Sequence, residues 1–577
     1  RKTLSNMTVD LTADATDSVY GGSIIGEGKV TKVGTGKLDL TGYNTYSGDT
    51  LVKAGTLAVN GYLTNSEVKV GTAAAGQPKL QGNGFIAKHV ENINGIVAPG
   101  NSIGHLTVGS YTQGAGGVLE LEGGINGGDK LTVRGTAKLD GTVQFVPNGY
   151  FANGYNTLTL TDFIEAGTLE QDNNLYSEVK KSTNSIVQIE YERTSGGDIT
   201  FFASRAADAY SKIAATADGH QLAAFLDQKA GAMTGDAQNI VGGIDFAKFT
   251  IDATAEQMTP RAYDSLQYAA QSRIKMLTDL TSDRLLEKER SQEGEWSLYA
   301  QPLRLEFDQN SWHSYAGFSG QSSGILVGAQ RQVGNWRYGI YGAYLDDKTD
   351  VTAAAPLHSE SQSGFIGITG HYAADPERGQ FYYGLLQCGA ERYDTKRNVM
   401  LGNSYFSSYD KKWTSRSLTT EAGTGWRLPQ RQGTLIPVAA LRYSLLDYPG
   451  ITESSAADGA AVSRGASDLQ SLQSKVGLRM ELGKERLGAV TERSYDMSAM
   501  WYHEWLSNDT DYSWNRFAGQ DRLNEKGAGS AGRDTYTLSV GMQLQENNKF
   551  TLRAAVGKAF GKGYHDSKVS VDCQWYF

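Results

Sequence analysis

The chain of 577 residues has little cysteine and little proline, Cys 2 and Pro 10. Disulfide-stapled, collagenous and proline-rich architectures are thereby excluded. It also lacks any run near the roughly 18 consecutive apolar residues that a membrane-spanning helix needs, so a bilayer could be crossed only by a closed barrel. A mean hydropathy of -0.41 does not oppose a barrel, because half of each barrel strand faces a polar lumen. The formal net charge is -9, without the basic field that nucleic-acid binders carry, and no nucleic-acid partner is expected. The chain starts RKTLSNMTVD, without an initiating Met or an apolar signal region, and is expected to be a piece of a longer precursor. The eight His include no HExxH and no Cys/His cluster has zinc spacing, so neither a metal nor another cofactor is expected.

What the chain has in excess is glycine, 69 residues distributed as 32 in residues 1–200, 5 in residues 205–292 and 32 in residues 293–577. The sequence therefore divides at about 1–203, 204–292 and 293–577. The first segment is rich in Thr, Gly and Val, with short alternating runs such as KLDL (37–40), TLAVN (56–60), HLTV (105–108), VLELE (118–122) and TVQFV (142–146). GKL at 36–38 recurs as GTL at 55–57, a step that suits one coil of a parallel β-helix. A β-sandwich is the competing arrangement, favouring hairpin turns over such recurrence.

From Ser204 the apolar period becomes helical: Ala206, Ala209, Tyr210 and Ile213, then Leu222, Phe225 and Leu226. Thr259 as N-cap and Pro260 at the first helical position predict a long helix over about 259–290. Tyr263, Leu266, Ala270, Ile274, Leu277, Leu280 and Leu285 form an apolar stripe, opposed by Arg273, Lys275, Asp279, Asp283 and Arg284. Thirty helical residues span ~45 Å, enough to thread a pore through a hydrocarbon core of ~30 Å.

All nine Trp and 19 of the 31 Tyr lie after residue 293, a concentration that membrane barrels use in their interfacial girdles. Twelve strands are expected near 295–307, 322–332, 336–347, 361–373, 380–394, 414–428, 434–448, 471–482, 494–506, 533–545, 548–560 and 567–577. The stretches 308–321, 395–413, 449–470 and 507–532 are expected as extracellular loops. Val569, Val571, Cys573, Trp575 and Phe577 alternate with polar residues in the last strand. Cys388 and Cys573 fall in the fifth and twelfth strands, too far apart for a disulfide, and are expected as isolated thiols. Lys475, Arg479, Glu481, Asp572 and Arg442 take inward phases. A solvated lumen wall is the simpler expectation for them; pairing with the helix through Asp279, Asp283, Arg284 or Glu287 is the other.

Two motifs invite chemistry that their context refuses. Gly100, Ser102 and Gly104 satisfy G-x-S-x-G, but a nucleophile elbow is followed by a helix, and HLTV is a strand. GGINGGDKL (123–131) is one imperfect copy of a calcium nonapeptide, which cannot build a stacked ladder alone.

Three stretches together resemble the monomeric (type Va) autotransporters of Gram-negative bacteria. GTGKLDLTGYNTYSGDTLVKAGTLAVNG (34–61) is similar to the passenger-associated transport repeat, IVAPGNSIGHLTVGSYTQGAGGVLELE (96–122) with DKLTVRGTAKLDGTV (129–143) to the junction or autochaperone region, and residues 293–577 with terminal WYF to the translocator barrel. The resemblance implies a mostly β protein with a parallel β-helix stem, a helical linker and a twelve-stranded antiparallel transmembrane β-barrel. It implies an outer-membrane translocator, not an enzyme, that exports and anchors its own N-terminal passenger at the cell surface. A surface adhesin working through the β-helix, and a secreted hydrolase with its catalytic domain upstream, are the alternatives. The expected partners are outer-membrane lipid, the barrel-assembly machinery, periplasmic chaperones and, through the passenger, host or neighbouring-cell surfaces; a monomer is expected. Val569, Val571, Trp575 and Phe577 would be the assembly signal. Tyr263, Leu266, Leu277, Asp279, Leu280, Asp283 and Arg284 would line the pore helix. Pro99, Gly100, Ser102, Gly104, Leu106, Val108, Leu119 and Leu121 would form the folding nucleus of the stem.

Overall fold

The computed structural model describes residues 2–10, 17–72, 77–152, 156–180, 183, 185–193, 198–288, 292–453, 459–507, 510–527 and 529–577. Two compact units result, Arg1–Asp252 and Ala253–Phe577, so the segment expected as a linker over 204–292 is shared between them.

The first unit is a parallel β-solenoid of about six turns. Each turn gives one strand to each of two parallel sheets, one running from Lys2–Asp10 to Ile164–Gln171 and the other from Ser18–Tyr20 to Tyr176–Val179. The 19-residue recurrence is a rung: Lys37 pairs with Thr56 and Leu38 with Leu57. Inward side chains such as Val52, Leu57, Leu80, Val97 and Leu131 stack into one dry core, the contacts by which a solenoid is stabilised repeat on repeat. Glycine is required at one corner, where a Cβ on Gly42, Gly61 or Gly84 would run into the carbonyl of Gly22, Gly42 or Gly61 in the rung before. An antiparallel sheet of Asn156–Thr159, Val187–Arg193 and Ile199–Arg205 follows, and its Phe201 stacks on Phe145 at 4.6 Å. Helices Ala217–Lys229 and Ala237–Asp245 pack next; buried Asp245 accepts from Tyr210 Oη at 2.7 Å and pairs with Arg205 at 3.1 Å.

In the second unit the twelve barrel strands are Trp296–Gln309, Phe318–Val333, Trp336–Val351, Leu357–Asp375, Gln380–Leu401, Tyr405–Trp426, Gly433–Tyr448, Ser467–Leu482, Thr491–Glu504, Asp534–Glu546, Phe550–Gly561 and Tyr564–Tyr576. Each pairs antiparallel with its neighbours; the sixth joins the seventh, the twelfth joins the first, and no edge is left. No helix among the described residues is long and apolar enough to cross a membrane. Outward residues of the fifth strand are apolar or small from Tyr382 to Ala390 and then become Arg392, Asp394 and Lys396. Nine residues match the 9–11 that a tilted strand needs to cross the hydrocarbon.

Two expected loops are corrected. Residues 395–413 are strand for most of their length, because the fifth and sixth strands continue past the apolar band as a hairpin turning at 402–404. Residues 449–470 and 507–532 contribute Ile451–Thr452, Val462–Arg464, Tyr512–Arg516 and Asp521–Glu525, which form a separate four-stranded antiparallel sheet.

The barrel glycines have their own cause. Inward Tyr299, Phe307, Tyr341, Phe365, Phe381 and Tyr383 each lie over the directly paired glycine of the next strand, Gly328, Gly320, Gly367, Gly389, Gly425 and Gly423. A Cβ at any of these glycines would meet the ring.

Candidate functional site: the helix-filled lumen

The long helix spans Arg261–Leu286, about 39 Å at 1.5 Å per residue. Its start corrects the expected cap: Pro260 is the N-cap residue, and Thr259 donates its hydroxyl to Glu256 O at 3.1 Å. The expected final residues, 289–290, lie outside the described residues. Tyr263, Leu266, Leu277 and Leu280 are buried against inward Tyr299, Leu303, Leu305, Phe307, Leu326 and Tyr341. The polar side of the helix is buried too, so its charges must find partners on the wall.

They do so at successive levels. Asp264 accepts from Arg464 Nε at 2.7 Å and from the Tyr512 hydroxyl, both in the four-stranded sheet. Tyr263 Oη donates to Glu453 at 2.6 Å, and Arg397 in turn pairs with Glu453 at 2.6 Å. Arg273 meets Asp347 at 3.0 Å and also Glu391, on the third and fifth strands. Asp279 is enclosed by Arg442 NH2 at 2.7 Å, Lys568 Nζ at 2.7 Å and Tyr502 Oη at 2.8 Å. Lys475 donates to Ser282 Oγ at 2.7 Å and faces Glu421 at 3.4 Å. Arg284 pairs with Asp572 and lies 3.7 Å over the Tyr299 ring. Glu287 is 3.8 Å from Arg479 and 3.4 Å from Arg553. Asp283 lines a small space beside Arg553 and Lys568. At the C-terminus Arg337 donates to Leu285 O at 3.0 Å and Glu287 O at 3.3 Å, and Arg427 donates to Leu286 O, where cations also suit the helix dipole.

The solvated lumen wall is therefore corrected for Arg442, Arg479 and Asp572, which pair with Asp279, Glu287 and Arg284 of the helix segment, and for Lys475, buried between Ser282 and Glu421; Glu481 pairs instead with Arg427 and Arg479 on the wall and lines a space of about 370 Å³. A cavity of about 100 Å³ remains beside Ser272, Lys275 and Asp279. It has room for a few waters and none for a polypeptide. The sequence alone does not point to Arg464, Glu453 or Glu391, since nothing local links Asp264 to a residue 200 positions away.

The other two expected groups lie elsewhere. In the stem, Leu106 and Val108 stack on Leu131 and Val133, and Leu119 and Leu121 on Val143 and Phe145, all fully buried. Pro99 ends a strand, Gly100 takes φ +92, and Ser102 is exposed in the bend before strand His105–Gln113. Asp129, in the imperfect calcium motif, holds this bend: its carboxylate accepts from Gly104 N at 2.9 Å and Glu122 N at 2.8 Å. Burial raises the Asp129 pKa from 3.8 to about 7, the two amides opposing and Glu122 and Glu120 reinforcing the rise. The folded stem thus holds this proton more tightly than the unfolded chain, and the stabilisation, complete below pH 4, is lost as pH rises through 7. Stem protease resistance should fall between pH 5 and pH 8 by the equivalent of about 2–3 kcal/mol. Asp129→Asn should flatten that slope, and an unaltered slope in the variant would assign it to other groups.

At the seam, Val569, Val571, Trp575 and Phe577 point outward, Phe577 being 63% exposed. Phe577 N donates to Trp296 O and Trp296 N to Phe577 O, both at 2.9 Å, so the terminal residue closes the ring.

A closed twelve-stranded antiparallel barrel with an apolar outer band is an outer-membrane-type barrel, here with a helix ion-paired to its lumen. Residues 298–557 match the autotransporter β-domain and residues 30–59 the passenger-associated transport repeat. Residues 298–557 thus form an autotransporter β-domain, an outer-membrane translocator barrel with a passenger whose stem is exposed at the cell surface. An extracellular serine protease of Serratia marcescens is 25% identical over 97% of this chain and 57% of its own length, and a second is 22% identical with the same coverage. The chain thus spans somewhat over half the length of these curated relatives. Among solved structures, the translocator domain of the Neisseria meningitidis autotransporter NalP is similar at 15% identity and a TM-score of 0.41, covering 54% of this chain and 98% of that one. The transport unit of Escherichia coli AIDA-I is similar at 15% identity and a TM-score of 0.37, covering 51% and 92%.

Proposed function

We propose that this chain exports and anchors its own passenger, with Arg261–Leu286 as the segment that remains in the pore once export ends. The observation that carries this reading is the helix, ion-paired to the wall at successive levels of the lumen. No ATP is at hand outside the membrane, and rung-by-rung burial in the stem biases the motion, at about 25 cal/mol per Å² of apolar surface. Pro99, Gly100, Ser102, Gly104, Leu106, Val108, Leu119 and Leu121 act as the nucleus on which the remaining rungs add. Periplasmic chaperones hold the chain before insertion, and the finished protein is a monomer.

The outward alternation Val569, Val571, Trp575 and Phe577 is the signal read by the assembly machinery, because this strand must be recognised before Trp296 covers its edge. Deleting Phe577, or replacing it by Asp, should lower outer-membrane insertion by about an order of magnitude, a cost of ~1.4 kcal/mol or more. Unchanged heat-modifiable barrel in outer-membrane fractions would remove this role.

The passenger stays attached unless a separate protease acts. Cleavage by an Asn side chain attacking its own backbone needs an Asn in the helix, and none stands between Pro260 and Trp296. Asp279 is committed as an anion to Arg442 and Lys568, which makes it a poor electrophile. Refolded residues 1–577 should remain one full-length band on prolonged incubation; a spontaneous barrel fragment beginning between residues 262 and 292 would overturn this. A second reading, favoured by the Serratia relatives being extracellular serine proteases, adds a hydrolase domain to the passenger on the N-terminal side of the stem. The N-terminal sequence of the precursor tests it.

A further inference from the structure

The rungs of the solenoid bring three aromatic side chains into one outward column. Tyr43 pairs with Tyr62, and Tyr62 with Phe85, at equivalent positions of successive turns. Ring centroids are 5.5 Å apart for the first pair and 6.2 Å for the second. Tyr43 is 56% and Tyr62 53% exposed, although an outward position in a solenoid is cheaply filled by Thr, Lys or Asn, and the next two places in the column are Thr107 and Thr132. The guanidinium of Arg134 lies 4.4 Å over the Phe85 ring and ends the column there. The border is polar and ordered. Asn60, two residues before Tyr62, has its amide nitrogen fixed on Asp39 at 2.8 Å and its oxygen on Asn83 N at 2.9 Å and Asn101 Nδ2 at 2.8 Å. Thr64, on the other side, donates to Asn44 O at 3.3 Å, and His105 meets Thr132 Oγ1 at 2.7 Å. The strip is therefore a column of inclined rings on a rigid frame, at 41° between Tyr43 and Tyr62 and 62° between Tyr62 and the half-buried Phe85, edged by amide, hydroxyl, carboxylate and guanidinium groups.

We propose that Tyr43, Tyr62 and Phe85 form a stacking platform for an extended neutral polysaccharide whose chain runs along the solenoid axis. A pyranose offers one face of C–H groups with hydroxyls around its rim, the complement of an aromatic face set among polar side chains. One ring per rung places successive stacking positions at about the repeat of sugar units in an extended glycan. A lipid or apolar peptide would call for a continuous apolar patch, which Thr41, Thr45, Asn60 and Thr64 interrupt. A polyanion would call for a basic stripe, whereas the cation seen on the column among the described residues is Arg134. The platform needs nothing from the translocator reading, since it lies wholly within the stem.

The test is native affinity electrophoresis of the full chain in detergent, in gels with and without hydroxyethyl cellulose or yeast mannan. The full chain should be retarded by one of these neutral polysaccharides, and the double variant Tyr43→Leu/Tyr62→Leu, which keeps apolar bulk but loses the flat faces, should bind about tenfold more weakly. Tyr43→Phe/Tyr62→Phe should keep at least the stacking part of the affinity. Protease resistance of the stem, measured on the same samples, separates loss of binding from loss of fold. Absence of retardation by both polysaccharides overturns the proposal, as does equal retardation of the folded Leu variant; either result leaves the column as rung-to-rung packing alone.

Discussion

Replacing Leu106, Val108, Leu119 and Leu121 together by Asp is expected to abolish the folded stem while leaving the barrel inserted. Each side chain is fully buried between rungs, stacked on Leu131, Val133, Val143 or Phe145. Removing a buried Leu alone costs about 2–5 kcal/mol, and an unpaired carboxylate in its place costs several more. Four such changes exceed the 5–15 kcal/mol by which a domain is stable. The barrel shares no core residue with this cluster, so heat-modifiable migration should be unchanged. Surface protease should then degrade the stem completely, or the passenger should stall before it reaches the surface. A stem that keeps its resistance would place the nucleus in other rungs.

The second large effect is expected at Asp279. Its carboxylate is the shared counter-charge of Arg442 and Lys568 and accepts from Tyr502, all in a buried lumen. Asp279→Leu would leave Lys568 without its 2.7 Å partner and Arg442 with Glu421 alone, at a cost of about 3–5 kcal/mol for the helix-filled state. With the helix displaced the same cations face water, so the equilibrium should move toward the open pore by roughly two to three and a half orders of magnitude, about 1.4 kcal/mol per tenfold. In planar bilayers the variant should show frequent open events where the parent is closed. A variant as quiet as the parent would mean that packing alone, through Tyr263, Leu266 and Leu277, holds the helix.

How far these residues were legible in the sequence follows from what each element faces. Strands crossing the lipid were readable because one face is apolar and the other polar, as in Val476, Leu478 and Met480 against Lys475, Arg479 and Glu481. The same strands went unread beyond the membrane. Around Arg392, Asp394 and Lys396, and again at Asp410 and Lys412, the outer face meets water, so the alternation fades and the hairpin resembles a loop. The helix was visible from its period, but its filling of the lumen was not, because that depends on wall residues brought in by register. Lys475 and Arg442 look alike whether water or Asp279 faces them. Thr259 had the residue type of a cap, and Pro260 took the cap position because the chain enters the helix one residue later. The GGINGGDKL pattern suggests calcium chemistry by composition, whereas the Asp129 carboxylate meets two backbone amides, one of them, Gly104 N, brought in from the preceding rung.

The most direct test of the account is protease accessibility on intact Gram-negative cells that express this chain behind a periplasmic export signal. Proteinase K added outside should remove the stem and leave a membrane-embedded fragment that contains residues 296–576 and recovers the heat-modifiable barrel, with periplasmic markers intact. A chain protected over its whole length until the outer membrane is permeabilised would contradict the claim that this barrel carries its own stem to the cell surface.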